Sequence, residues 1–345
     1  MPVASNTCTG QNDNREDAFN IPIIDVQEYM SNPKGAKDQC RKVVESLHQH
    51  GILIVKDVRA SEEDNATFLN MMERYFEQSD FKTDARPDLN FQVGVTPELK
   101  ERPRNHCERI ANLEANHQPV TLCPPELDKK SRFYWRIGER PENTKFKELN
   151  AEPVIPKGFP EWSNVMNTWG YKMLATLHEI ASMVAEGFGL EKDTFLKMMN
   201  FGPHLLAPTG SNFNQHGKLN TVLAGYHYDL DFLTIHGKCR FPGLYIWLKD
   251  GRKMLVRVPD GCLLVQAGKQ MEYLTGGYIL AGFHEVVVSQ ETLQAIEKRR
   301  SRNESLWRVS STLFGHIATD LVLEPLETFR TPKSNEMYPA ILAGD

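Results

Sequence analysis

The spacing of apolar residues changes character near the middle of the chain. In the first half it is mostly helical, broken by short strand-like runs. Ile21-Pro22-Ile23-Ile24-Asp25 reads as a short strand, and Pro33 to Gly51 as an amphipathic helix with Cys40, Val43, Val44 and Leu47 on one side. Ile52-Leu53-Ile54-Val55 is the next strand. Ser61 can cap a second helix with Asp64 three residues on, and Phe68, Met71, Met72 and Phe76 form its apolar face. From about 80 to 160, proline, asparagine and charge dominate and periodicity is weak, which predicts loops with short elements that could wall a site. The longest helical pattern runs from Glu161 to Gly187, where Val165, Trp169, Met173, Leu177, Ile180 and Val184 form a core-facing stripe.

A short helix near Glu191 to Met199 precedes a different pattern, strand-sized apolar runs broken by Gly, Pro and Asp. These runs are His204 to Ala207, Thr221 to His227, Phe232 to His236, Leu244 to Leu248, Met254 to Val258, Cys262 to Gln266, His284 to Val288 and Trp307 to Phe314. Many short strands at near-regular intervals predict a sandwich or a barrel-like jelly roll. Glu291 to Glu304, containing Lys298-Arg299-Arg300-Ser301-Arg302, reads as a solvated helix or loop inserted between strands. The chain thus divides into a polar, disordered lead-in (1–20), a helix-rich region (21–200), a strand-rich core (201–326) and a tail (327–345). The tail either covers a pocket or trails along the surface.

Composition narrows the function. A chain of 345 residues, 40% hydrophobic and 25% charged, can bury a large core. A net charge of −5 provides no basic field for nucleic acid or anionic lipid, so a small-molecule partner is expected, with no nucleic acid and no membrane. No run approaches the roughly 18 apolar residues of a membrane span. Met1 to Glu16 lacks the apolar centre of a signal peptide, so the cytoplasm is the expected location. Cys8, Cys40, Cys107, Cys123, Cys239 and Cys262 lie at wide spacings that suit neither a zinc finger nor a dense disulfide framework. Most are expected to be reduced, with Cys262 a core thiol. Oligomeric state is open.

The chemistry concentrates in His227-Tyr228-Asp229, His284 and Arg308-Val309-Ser310. Alternate residues of a strand share a face, so His227 and Asp229 can address one ion, and a distant histidine can complete the set. Two imidazoles and a carboxylate leave coordination positions open, as in non-haem Fe(II) oxygenases. Structural zinc, by contrast, prefers closed four-ligand sets. Arg308 and Ser310 share a strand face and can grip one carboxylate together. Asp231 reads as a supporting or turn residue, and His236 as packed or hydrogen-bonded beside the sheet. Tyr226, Phe232 and Phe283 flank the ligands and are candidates for an apolar substrate pocket, although aromatics near strand ends are more often core. Phe133-Tyr134-Trp135-Arg136 is a candidate to close over a substrate.

These motifs occur in a telling order: Ile21 to Asp25, Gly51 to Val55, His227-x-Asp229, Phe232 to Ile235, Phe241-Pro242-Gly243-Leu244-Tyr245, Val258-Pro259-Asp260-Gly261, Leu274-Thr275-Gly276-Gly277, His284-Glu285-Val286 and Arg308-Val309-Ser310. In that order they resemble the isopenicillin-N-synthase-like family of iron- and 2-oxoglutarate-dependent dioxygenases, over roughly residues 20 to 326 and most strongly in the second half. The resemblance implies a mixed α and β fold with a double-stranded β-helix (jelly-roll) core and flanking helices from the N-terminal region. It implies Fe(II) held by His227, Asp229 and His284, 2-oxoglutarate anchored by Arg308 and Ser310, and molecular oxygen as oxidant. No catalytic side chain is expected beyond the metal ligands. The implied reaction is hydroxylation, desaturation or ring closure of a small organic molecule.

Two features depart from the family pattern. Many relatives carry an Asn-Tyr-Tyr-Pro-like motif whose tyrosine helps bind the co-substrate, where this chain has Leu205-Leu206-Ala207-Pro208. The interval from His284 to Arg308 is also longer than the resemblance leads one to expect. Two alternatives therefore stand beside the main reading: an iron- and oxygen-dependent oxidase that does not use 2-oxoglutarate, and a non-catalytic metal- or ligand-binding jelly roll.

Overall fold

The computed structural model describes residues 21–32 and 35–345; the polar lead-in lies outside the described residues. Among the described residues the strands are β1 (Ile23–Asp25), β2 (Ile52–Lys56), β3 (Gly94–Thr96), β4 (Ser131–Ile137), β5 (His204–Leu206), β6 (Thr209–Asn212), β7 (Val222–His227), β8 (Leu233–Gly237), β9 (Leu244–Trp247), β10 (Lys253–Leu255), β11 (Cys262–Ala267), β12 (Phe283–Val287), β13 (Trp307–Gly315), β14 (Val322–Leu323) and β15 (Ile341–Leu342).

Two sheets face each other. The larger runs β1-β2-β11-β8-β13-β5-β4-β3, with β6 bridging β13 and β4, and the smaller runs β10-β9-β12-β7. This is the jelly-roll core that the spacing of apolar runs predicts. The N-terminal region is woven into it, because β1 to β4 extend both ends of the larger sheet. The weak periodicity between 80 and 160 hides β4, a seven-residue strand whose burial alternates along its length. Phe133 and Trp135 face the core and are almost fully buried, so Phe133 to Arg136 is not a flap over a substrate.

The helices Glu62–Gln78 and Trp162–Gly187 cover the outer face of the larger sheet. Ser61 caps the first, with its hydroxyl on the Asp64 N–H and the Asp64 carboxylate returning to the Ser61 N–H. The second buries Trp169, Met173, Leu177, Ile180 and Val184 of the stripe read from the sequence, while Met166 is buried and its neighbour Val165 only half-buried. Strand β13 shows how this layer positions the site. Val309, Ser311 and Leu313 turn outward, where Trp169 Nε1 donates to Ser311 Oγ at 2.7 Å, so Arg308, Ser310, Thr312 and Phe314 must turn inward between the sheets.

The charged insertion forms the helix Gln290–Ser301, capped by Ser289 and packed through Ile296. A Cys107–Cys123 disulfide, Cα–Cα 5.5 Å, staples the segment beside the site, while Cys40, Cys239 and Cys262 are free. Cys262 is buried in the core as its surroundings predict. No helix among the described residues is long and apolar enough to cross a membrane.

Candidate metal centre between two cavities

His227 ends β7 and lies directly opposite His284 of β12. The register between these strands slips by one residue, since His284 faces His227 but Val286 faces Ala224. This bulge lets Ala224 and His227, three residues apart, both face the space between the sheets. Asp229 lies beyond the end of the strand rather than on it, which corrects the simple alternation that groups it with His227. The chain turns after the strand and brings its carboxylate back.

One ligand atom from each of His227, Asp229 and His284 lies within 4.8 Å of the others. Asp229 Oδ1 is 3.7 Å from His227 Nε2 and 3.7 Å from His284 Nε2. Hydrogen bonding selects the His227 nitrogen. His227 Nδ1 donates to the Gly225 carbonyl at 2.6 Å, and His284 Nδ1 is 3.2 Å from the Gly282 carbonyl. A carbonyl only accepts, so the His227 proton sits on Nδ1 and its Nε2 lone pair is presented to the shared space. Gln266 Nε2 donates to the Gly282 carbonyl at 2.8 Å and lies 3.1 Å from His284 Nδ1, so that ring nitrogen faces an acceptor and a donor at once.

The charge state suits a cation. Burial works to raise the Asp229 carboxyl, but the two imidazoles and the Thr234 hydroxyl hold it at about 2. Burial and the neighbouring His284 keep the His227 imidazole well below its ordinary range. A neutral His227 imidazole beside an ionised carboxylate suits a divalent ion. Thr234 Oγ1 donates to Asp229 Oδ2 at 2.7 Å and also lies 3.0 Å from Asp231 Oδ2. Burial and the Asp229 charge push the Asp231 carboxyl well above the usual range. A carboxyl that keeps its proton there can donate to Thr234, freeing the hydroxyl proton for Asp229. Asp231 therefore supports a ligand, as its position in the sequence suggests.

The three residues lie between two cavities. The first, about 330 Å³, fills the space between the sheets and reaches Arg308, Ser310, Thr312, His236 and Thr209. Arg308 is 7% exposed, has no carboxylate partner among the described residues, and its Nε makes no hydrogen bond. A buried guanidinium without a counter-charge is costly unless a ligand anion supplies one. Ser310 Oγ accepts the Thr209 N–H at 3.1 Å and keeps its own proton for a ligand. The donor set therefore fits a dicarboxylate that reaches from the metal to Arg308.

Sequence reasoning overlooks several lining residues. Thr312 simply continues the alternation of Arg308 and Ser310 and is legible in hindsight. His236 is not, because its place depends on its register opposite Thr312, to whose Oγ1 its Nδ1 lies at 3.0 Å. Its Nε2 is buried without a partner, and burial holds the imidazole at about 4.

The second cavity, about 600 Å³, lies on the other side of His227 and Asp229, walled by Glu101 to Arg104, β4, Lys269 and the tail residues Ile341 and Ala343. The tail thus closes part of a pocket. None of the three aromatic substrate candidates lines either cavity. Phe232 is fully buried against Phe195. Tyr226 and Phe283 stack on each other at 4.7 Å behind the ligand strands, with Arg109 lying 4.4 Å over the Phe283 ring. The bulge explains the correction: it aims His227 inward and leaves Tyr226 in the outer cluster with Trp247.

Comparisons with known proteins agree with this geometry. Residues 196–317 match the model of the 2OG-Fe(II) oxygenase superfamily. Mugineic-acid 3-dioxygenase of Hordeum vulgare is 28% identical over 171 residues, 48% of this chain and 45% of that protein, so the match spans less than half of the relative. Among solved structures, a Caulobacter crescentus protein described as of the 2OG-Fe(II) oxygenase family superposes with TM-score 0.73 at 18% identity, covering 94% of this chain and 96% of its own. Neurospora crassa T7H, solved in complex with alpha-KG, superposes with TM-score 0.71 at 16% identity, covering 94% and 93%. JOX2, solved with 2OG, Fe and JA, gives 0.66 at 15% identity, covering 93% and 82%. At these identities the structural likeness speaks for the fold.

Proposed function

We propose that the chain, which matches the 2OG-Fe(II) oxygenase superfamily over residues 196–317, is a non-haem Fe(II)- and 2-oxoglutarate-dependent dioxygenase that oxidises a small organic molecule. His227, Asp229 and His284 would hold the iron, and Arg308 with Ser310 would anchor the distal carboxylate of 2-oxoglutarate. When bound, the iron supplies the oxidising chemistry, coupling decarboxylation of 2-oxoglutarate by molecular oxygen to oxidation of the substrate. The protein's part is to present two imidazole Nε2 atoms and an ionised carboxylate, and to hold the diacid out of bulk water.

One observation carries the 2-oxoglutarate assignment: the buried, unpartnered guanidinium of Arg308 at the end of a cavity that begins at the metal ligands. The second cavity, on the far side of His227 and Asp229, is the natural place for the substrate. Hydroxylation is the default outcome, with desaturation and ring closure within the same chemistry. Succinate formation from 2-oxoglutarate, measured with and without Fe(II), tests the reading. Iron-dependent succinate is expected, and turnover unaffected by iron removal would contradict it.

A further inference from the structure

Charges around the second cavity are unevenly satisfied. Lys130 is held by Asp128 at 2.6 Å and Glu101 at 3.1 Å, and Asp128 also accepts the Gly225 N–H at 2.9 Å, so these carboxylates are engaged. Arg132, on the same wall, is only 15% exposed; it lies 3.5 Å from Glu101, donates Nη1 to Tyr134 Oη at 2.9 Å and Nε to Thr209 Oγ1 at 3.1 Å. Its Nη2 meets no acceptor among the described residues. Lys269 is paired with Glu272 at 2.5 Å.

The neighbouring arginines lack such partners. Arg102 donates only to the Pro125 carbonyl, at 2.7 Å, and Arg104 has neither a carboxylate nor a hydrogen-bond acceptor among the described residues. His106, in the same wall, sits among Arg104, Arg109 and Lys269; burial first, and these cations next, keep its imidazole below the ordinary range. Asp345 lies across the cavity and forms no ion pair with any of them among the described residues. Arg102 and Arg104 are thus cations without an acidic partner among the described residues, in a wall that also holds the metal ligands His227 and Asp229. Leu205, Phe314, Tyr273, Leu323 and Ile341 line the same cavity and give it an apolar wall, with the Arg132 guanidinium 5.6 Å over the Phe314 ring.

We propose that the second cavity binds an organic acid with an apolar body, its carboxylate taken by Arg104 and the open edge of Arg132, and its body laid against Leu205, Phe314 and Ile341. A guanidinium edge accepts a carboxylate through paired N–H donors, and the apolar wall stabilises a hydrocarbon portion but not a highly hydrated ligand. Oxidation of that acid rests on the oxygenase reading above; its binding does not. The carboxylate fixes one end of the molecule, so the carbons oxidised would be those lying over the metal ligands.

Calorimetry on the protein loaded with Fe(II) and 2-oxoglutarate, without oxygen, tests this with straight-chain and aryl monocarboxylic acids of about six to twelve carbons, each against its primary amide. The expected result is that acids bind at least tenfold more tightly than their amides, that added salt weakens the acids only, and that Arg104→Gln removes about tenfold of acid affinity while 2-oxoglutarate still binds. Equal binding of acid and amide, binding of no acid, or an Arg104→Gln variant that binds acids as the parent does would overturn the proposal. If acids bind as expected but 2-oxoglutarate gives no visible charge-transfer band with the Fe(II) protein, the oxygenase reading fails and the acid site stands.

Discussion

His227 and His284 are register partners across the antiparallel β7–β12 pair, with ring centroids 4.2 Å apart. Pairing fixes their separation without any help from loops, and the adjacent bulge turns both rings into the same space. The third ligand is less constrained. Asp229 stands outside regular structure and depends on the Thr234 hydroxyl of β8 to hold its carboxylate. Two ligands are thus set by strand pairing and the third by a hydrogen bond.

That division predicts the effect of Thr234→Val. The methyl group replaces the hydroxyl with little change in volume but removes the donor to Asp229 Oδ2. Supporting hydrogen bonds of this kind are worth roughly 10- to 100-fold in metal affinity. Competition titration of Fe(II) against a chelator is expected to show a loss in that range with an unchanged circular dichroism spectrum. Parent-like affinity would mean that Asp229 holds its position unaided.

Arg308→Leu is expected to separate stability from binding. The guanidinium is buried and unpaired, so its removal should leave the ligand-free protein as stable in urea as the parent, or more stable. The same change should weaken 2-oxoglutarate binding by about a hundredfold, a loss of ~3 kcal/mol. A variant that unfolds more easily and still binds 2-oxoglutarate would reverse the assignment.

Glu285, next to His284, is fully buried, and its carboxylate accepts the Val120 and Thr121 N–H groups, the Thr121 hydroxyl and Lys253 Nζ at 2.9 Å. It fastens the segment closed by the Cys107–Cys123 disulfide to the metal strand. Glu285→Ala leaves a partly buried cation and two amides unsatisfied, at a cost of about 3–5 kcal/mol. Urea denaturation measures this, and a loss below about 1 kcal/mol would show that water enters and replaces the carboxylate.

Acid should destabilise the metal-free protein well above the carboxylate range. Burial holds His236 and His316 at about 4 and His204 well below its ordinary 6.5. Each therefore binds a proton in the unfolded chain before it does so in the folded one. Their contribution is fully present above pH 6.5 and declines as pH falls from there toward the folded-state values, by up to ~1.4 kcal/mol per pH unit for each group. Urea denaturation at pH 7.5, 6 and 5 should show a progressive loss, and a flat profile over that range would contradict neutral burial of these rings.

Much of this molecule is legible in its sequence because its signals are local. The stripe from Val165 to Val184, the Ser61 cap and the strand-sized runs after residue 200 each follow from periodicity or from one hydrogen bond. His227, Asp229 and His284 stand out because their residue types and order suit one chemistry. What the sequence hides is non-local. The bulge that reverses Tyr226 and His227 is a mismatch between two strands, and neither strand shows it alone. His236 gains its place from register with Thr312, and Arg132 from the pairing of β4 with β6. Strand β4 alternates apolar and polar residues within a region whose composition reads as loop, and only the sheet it joins gives that alternation meaning.

His227, Asp229 and His284 are proposed to hold one Fe(II) ion with room beside it for 2-oxoglutarate. Anaerobic titration of the Fe(II)-loaded protein with 2-oxoglutarate, followed by visible absorption, is the decisive test. A charge-transfer band is expected that saturates at one equivalent in the parent protein and is absent from a folded His284→Ala variant. A parent protein that takes up no Fe(II) or develops no band, or a His284→Ala variant that develops the same band, would contradict this proposal.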